Sequence, residues 1–151
     1  MDNITERVGD NMHKGTAGEL LFAFEAYRRG LYPCVPSMGD PPCFDMVVIN
    51  RISGRPVVVQ VKTAEQKSNS RKYQAKALCQ NDSIHLNKTN VQYLCVYTPG
   101  PNVWYMVPVG RIRATSITVF PLNKNSRGQY ERFKENWKAF GFSSDDPVLL
   151  S

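Results

Sequence analysis

The sequence has no apolar run of the roughly twenty residues needed to cross a bilayer. Its opening, Met1-Asp2-Asn3-Ile4-Thr5-Glu6-Arg7, has no secretory-signal core. An intracellular, cytoplasmic protein is therefore expected. Histidine is scarce: His13 and His85 stand far apart, outside any metal-ligand spacing. Cysteine is scarce too, and Cys34, Cys43, Cys79 and Cys95 contain no Cys-x-x-Cys pair, which argues against a zinc ribbon. They read mostly as buried thiols. Cys34 and Cys43 flank a Pro-rich loop and have the chance to meet, but a reducing compartment disfavours a lasting disulfide. There is no internal repeat and no low-complexity tract.

What is present is ordinary in amount and unusual in placement. At 151 residues, with 42% hydrophobic and 21% charged side chains, the chain has the length and composition of one globular domain over residues 1–151 with a sizeable core. Its formal net charge is +6. Lys62, Lys67, Arg71, Lys72 and Lys76 fall in a segment holding one acid, Glu65, with Ser, Asn, Gln and Tyr between the charges. Such a segment reads as a flexible basic arm able to track phosphates. A solvated loop accounts for any one of these residues but less well for all of them. A second basic cluster, Arg111, Arg113, Lys124, Arg127, Arg132, Lys134 and Lys138, lies toward the C-terminus, where Glu131 and Glu135 are expected to pair with part of it at helical spacing.

Two apolar runs carry the chemistry. Phe44-Asp45-Met46-Val47-Val48-Ile49 and Val57-Val58-Val59-Gln60-Val61-Lys62-Thr63 are rich in β-branched residues, and Asn50-Arg51-Ile52-Ser53-Gly54-Arg55-Pro56 between them holds turn formers. The expectation is a β-hairpin with a longer loop. Alternation along a strand puts Gln60 and Lys62 on one face and Val59 and Val61 on the other, with Asp45 opposite the polar pair. A carboxylate and an amide oxygen so placed suit a hard cation such as Mg²⁺, with Mn²⁺ as its substitute. A lysine beside them can orient an attacking water and stabilise charge on a phosphorane. Each has a plainer explanation. Asp45 can end a turn, Lys62 can snorkel from a strand end, and Thr16-Ala17-Gly18-Glu19 forms a capping box with Thr16 as N-cap and Glu19 at N3. Gln60 inside a valine run is the hardest to dismiss.

The order Glu19, Asp45, Gln60-Val61-Lys62 resembles the PD-(D/E)XK nuclease superfamily. Lys14-Gly15-Thr16-Ala17-Gly18-Glu19, with Arg29-Gly30 after a helix, is similar to the opening of archaeal Holliday junction resolvases. Tyr93-Leu94-Cys95-Val96-Tyr97, Val103 to Pro108 and Tyr130 to Trp137 look like the small group I intron homing endonucleases of this superfamily found in cyanobacteria. The resemblance spans residues 11 to 140, through short, degenerate motifs whose order carries more weight than any one of them. It departs in two places: Phe44 stands where the superfamily has proline, and Gln60 where most members have an acid. The intron-encoded relatives use glutamine here, although the change also suits a weakened nuclease.

The resemblance implies an α/β (α+β) restriction-endonuclease-like core with a mixed central sheet, and a Mg²⁺-dependent DNA endonuclease. Its catalytic residues would be Glu19, Asp45, Gln60 and Lys62, with metal held by Asp45, Gln60, the Val61 carbonyl and Glu19. Lys14, Ser37, Lys67, Arg71, Lys72, Lys76 and Arg127 are the expected DNA contacts. A homing enzyme reads base edges, for which Asn69, Arg71, Gln74, Asn123, Asn125, Arg127 and Gln129 are candidates, whereas a resolvase reads shape. One site cuts one strand, so a homodimer or homotetramer on double-stranded DNA is expected. A DNA-binding module that kept the fold without efficient catalysis is the alternative from another class, and basic charge alone also admits an RNA nuclease.

The remaining elements follow from pattern. A helix is expected from Thr16 to Arg29, with Leu20, Ala23, Phe24 and Tyr27 as its core stripe and Gly30 as its stop. A loop is expected over 31–43, strands at 93–97 and 104–108 joined by Thr98-Pro99-Gly100-Pro101-Asn102, a strand at 117–120, and a helix from Tyr130 to Phe140.

Overall fold

The computed structural model describes residues 3–36, 43–124 and 127–141, with side chains from Gly15 onward. The chain order is α1 (Asn3–Arg28), β1 (Leu31–Cys34), β2 (Met46–Asn50), β3 (Pro56–Thr63), β4 (Glu65–Gln66), β5 (Tyr73–Lys76), β6 (Leu78–Cys79), β7 (Ile84–His85), β8 (Tyr93–Thr98), β9 (Val103–Pro108) and β10 (Ser116–Val119). The main sheet has the order β1-β2-β3-β8-β9, and only β3 and β8 run parallel. This is an α+β fold with a mixed sheet. No helix among the described residues is long and apolar enough to cross a membrane.

The two valine-rich runs pair as the expected antiparallel hairpin, Met46 opposite Val59 and Ile49 opposite Pro56. Asn50 closes it: its Oδ1 accepts the backbone N–H of Ile52 and Ser53, an Asx turn. The alternation of β3 divides the interior. Val57, Val59 and Val61 pack with Phe22, Trp104, Met106, Trp137 and Phe140 beneath α1, while Val58 faces the second core around Leu94, Val96, Tyr105 and Ile117. β4, β5 and β10 form a three-stranded sheet over that second core.

Five expectations change. α1 begins at Asn3 rather than Thr16, so Thr16 is interior to the helix and no capping box forms around Glu19. The helix turns a different face inward: Gly18, Phe22 and Ala26, one every four residues, are buried, whereas Leu20, Phe24 and Tyr27 are 66%, 61% and 57% exposed. The expected stripe is the richer in apolar side chains, but the small residue decides, since Gly18 lets the helix axis come close to β3. The expected loop at 31–43 opens with strand β1, in which Pro33 is tolerated because the strand is at the sheet edge.

Residues 130–140 form two 3₁₀ turns, Glu131–Phe133 and Trp137–Phe140, rather than a helix. Glu131 and Glu135 spend their carboxylates elsewhere. Glu131 accepts from Phe120 N–H at 2.5 Å and Tyr105 O–H at 2.8 Å, and Glu135 from Trp104 N–H at 2.8 Å and the Trp137 indole at 2.7 Å. Glu135 adopts φ +50°, which interrupts any helix. The expected pairing of these acids with the second basic cluster is therefore absent among the described ion pairs.

The fifth change is a disulfide. Cys43 and Cys79 are bonded across 36 residues, with Cys34 free and exposed and Cys95 a buried thiol. Sequence spacing drew attention to Cys34 and Cys43. The hairpin β6–β7 instead brings Cys79 against the entry to β2, a meeting that only the tertiary path produces.

Candidate active site

β2 begins opposite Val59, so residues 60–63 of β3 are paired to β8 on one side only and leave the other edge open. Asp45, one residue ahead of β2, fills that edge. Its backbone N–H donates to Val59 O, and its Oδ2 accepts the Val61 N–H at 2.6 Å. The carboxylate thus satisfies a strand-edge donor with one oxygen. Phe44 holds the position before it and packs against the second core.

α1 supplies the opposite wall. A Cβ added to Gly18 would lie 2.7 Å from Thr63 Oγ1, so only glycine lets the helix come this close to the end of β3. Glu19, the next residue, is thereby brought into the same cleft as Asp45, where the two carboxyls interact electrostatically. Burial, then the Asp45 charge and hydrogen bond, raises the Glu19 carboxyl from 4.5 to about 7. Asp45 is raised as well, by burial, against the lowering effects of the Val61 N–H and the Lys62 charge. Each carboxyl therefore takes up a proton more readily here than it would in water.

Glu19, Asp45, Gln60, Val61 and Lys62 line one cleft of about 890 Å³, with Thr63 and Tyr97 beside them. Gln60 is 6% exposed, and its Oε1 has no hydrogen-bond partner among the described residues. A buried amide oxygen left unpaired costs free energy on the order of 1–3 kcal/mol, which calls for a ligand the oxygen would meet. Two carboxyls drawn together and an orphaned amide oxygen are the donor set of a hard divalent cation. No cluster of three or more His, Cys, Asp or Glu occurs among the described residues, so any cation here would depend on the amide and on backbone oxygen as well as the acids.

The remaining expected residues fall into three groups. Lys67 and Lys76 share with Lys62 a hollow of about 270 Å³ next to the cleft. Arg71 and Lys72 belong to the turn of the β4–β5 hairpin, where Arg71 reaches Asn123 at 3.4 Å. What reads in sequence as a flexible arm is thus a hairpin held to β10 by the register Tyr73–Val119 to Lys76–Ser116. Two of its charges are partly engaged, Lys67 with Glu65 at 4.0 Å and Lys76 with Asp82 at 2.5 Å. Arg127 is exposed and lines none of these hollows. Lys14 lies on α1 with its side chain outside the described residues, and Ser37 and Asn125 lie outside them entirely.

Sequence reasoning passed over Gly18, Thr63 and Tyr97. The Gly18-Phe22-Ala26 spacing was the available signal for the first, and the parallel register Thr63–Tyr97 was visible only in three dimensions.

No family model matches the chain, and no curated protein matches it in sequence. Among solved structures, it is similar to the bacterial homing endonuclease I-Ssp6803I, with a TM-score of 0.68 and 19% identity over 83% of this chain and 87% of that one. It is also similar to the Holliday junction resolvase Hjc of Archaeoglobus fulgidus, an archaeal hyperthermophile, at a TM-score of 0.48 and 18% identity over 72% of this chain and 88% of that one. The restriction-endonuclease-like fold is thereby established at the level of architecture.

Proposed function

We propose that this chain is a metal-dependent, site-specific DNA endonuclease of the PD-(D/E)XK type, with Mg²⁺, or Mn²⁺ in its place, and with homing as its closest functional model. The observation that carries this reading is the cleft itself. Two carboxyls in one cleft, a buried amide oxygen without a partner among the described residues and a lysine meet at the open edge of β3, on a fold like that of a homing endonuclease.

A divalent cation bound there would supply Lewis acidity at a phosphate and lower the pKa of a bound water. Asp45, Gln60 Oε1, the Val61 carbonyl and Glu19 are the residues that would hold it. The Val61 N–H fixes the Asp45 carboxylate in one orientation, so little side-chain freedom is lost on binding. With its carboxyl raised to about 7, Glu19 would release its proton more readily near neutral pH if a cation were bound beside it. Lys62, two residues beyond Gln60 on the same face, donates to the attacking water or to the phosphoryl oxygen as charge grows on it.

Lys67 and Lys76 extend positive potential from the cleft, and Lys14, Ser37, Arg71, Lys72 and Arg127 are the further DNA contacts in this reading. The +6 charge favours a duplex over neutral partners. A double-strand break requires two such sites related by a two-fold axis, so the active form is a homodimer or homotetramer acting as a single-domain protomer.

The direct test is cleavage of a plasmid library with random inserts in Mg²⁺, with the cut ends sequenced and Lys62→Ala run beside the wild type. Recurrent cuts at one sequence are expected. Loss of Lys62 should slow cleavage on the order of a hundredfold or more while leaving DNA affinity within a few-fold. A second reading, a DNA-binding module with a weakened site, draws on the neutral Gln60, which attracts a cation less than an acid does. It gains if wild type and variant bind DNA equally and neither cuts, provided that branched junction substrates, the resolvase-like alternative, are also left intact.

A further inference from the structure

The Asp45–Gln60–Lys62 edge opens onto a second hollow, of about 520 Å³, on the side away from α1, and its far wall is the turn Gln80-Asn81-Asp82. Three features make this turn unlike an ordinary hairpin end. All three residues take positive φ, 49°, 55° and 62°, and none is glycine. Asn and Asp tolerate that region because their short side chains hydrogen-bond locally, but glutamine has no such advantage. A long amide at a left-handed position is held there against its own preference.

The turn is also fastened at both ends. Cys79, immediately before it, is bonded to Cys43, two residues ahead of Asp45. Asp82 pairs with Lys76 on β5, and Ser83 N–H returns to Cys79 O and Gln80 O. The disulfide therefore ties the turn to the same segment that carries Asp45, so the spacing between the two walls of the hollow is set covalently. Gln80 and Asn81 are exposed, and among the described hydrogen bonds neither side-chain amide takes part.

We propose that Gln80 and Asn81 are specificity-determining residues: their amides, carried on a fastened turn across the second hollow from Asp45, hydrogen-bond a base edge of the nucleotide flanking the scissile phosphate. This deepens the nuclease reading and rests on it. The substrate strand would cross the open edge of β3 with one side against α1 and the other against this turn. Amide side chains suit the task, since Asn and Gln can donate to and accept from adenine at once, and a fixed backbone spares them the entropy of finding the base.

Glycine substitution separates side chain from backbone, because Gln80→Gly and Asn81→Gly keep the left-handed conformation while removing the amide. The measurement is the sequence profile of cut ends from the random-insert library, compared for wild type and each variant, with kcat/KM measured on the best wild-type site. The expected result is about tenfold or greater loss of base discrimination at one position beside the cut, with the other positions unchanged and a matching loss of kcat/KM on the best wild-type site. Asn81→Asp, which keeps the backbone but removes the donors, should change the preferred base at that position or abolish the preference. Profiles identical to wild type in all three variants would overturn the assignment while leaving the nuclease reading intact. A wild-type protein that cuts nothing, linear or branched, would overturn the nuclease reading and this assignment with it.

Discussion

Glu19 and Asp45 place a stability cost at the centre of the site. Glu19 has its pKa raised by burial from 4.5 to about 7. A carboxyl whose folded value exceeds its unfolded value binds its proton more tightly in the native state. Its contribution to stability is complete below the unfolded value and is lost as pH rises through the folded one. Asp45 shifts in the same direction. Without metal, the melting temperature should therefore fall between about pH 5 and about pH 8, and Glu19→Gln should flatten the fall and raise the melting temperature at the upper end. Added Mg²⁺ should stabilise the wild type at about pH 8 and the variant much less. Calorimetry with and without chelator checks this, and a wild-type melting temperature flat across that range would rule out the raised Glu19 pKa.

At the scale of elements, the site depends on how near α1 comes to β3. Gly18→Ala adds a methyl 2.7 Å from Thr63 Oγ1, a distance that forces either the helix or the threonine to move. Alanine is the better helix former by about 1 kcal/mol, so stability should change little or even rise. Activity should fall by about tenfold or more, because Glu19 moves with the helix and positioning errors of an ångström are costly. Thr63→Ala in the Gly18→Ala background removes the clash and should restore much of the lost rate. If the double variant is no faster than Gly18→Ala alone, the close approach is not what positions Glu19. The second valine run behaves similarly as an element. Its alternation sorts Val59 and Val61 into one core and presents Gln60 and Lys62 to the cleft, so a one-residue slip would bury the lysine and expose the valines.

At the scale of the whole molecule, the Cys43–Cys79 bond closes a loop between residues 36 apart. The chain-entropy account of such a closure gives about 4 kcal/mol of stabilisation, with strain and residual unfolded structure reducing it. Dithiothreitol, or Cys79→Ser, should lower the melting temperature by several degrees and should leave Cys95, buried beneath the sheet, unreactive to thiol reagents until unfolding. An unchanged melting temperature on full reduction would mean that the bond does not constrain the folded chain. Assembly belongs to this scale too. The proposed double-strand cleavage predicts that light scattering of the protein on its target DNA gives the mass of at least a dimer, and a monomer on a doubly cut duplex would contradict it.

The sequence by itself determined what alternation and turn chemistry determine: the hairpin of β2 and β3, the pairing partners β8 and β9, the stop of α1 at Gly30, and the sharing of one strand face by Gln60 and Lys62. Those features are local, set by the period of two along a strand and by residues that prefer or refuse particular φ values. It left undecided whatever depends on which of two plausible faces meets a distant partner. The exposed Leu20-Phe24-Tyr27 stripe holds more large apolar side chains than the buried Gly18-Phe22-Ala26 stripe, yet the close approach to Thr63 selects the smaller one. Glu131 and Glu135 have helical spacing, but the backbone amides of Trp104 and Phe120 claim their carboxylates first. Only the tertiary structure brings Cys79 to Cys43 and Gln80 across from Asp45, because those meetings join segments that share no local periodicity.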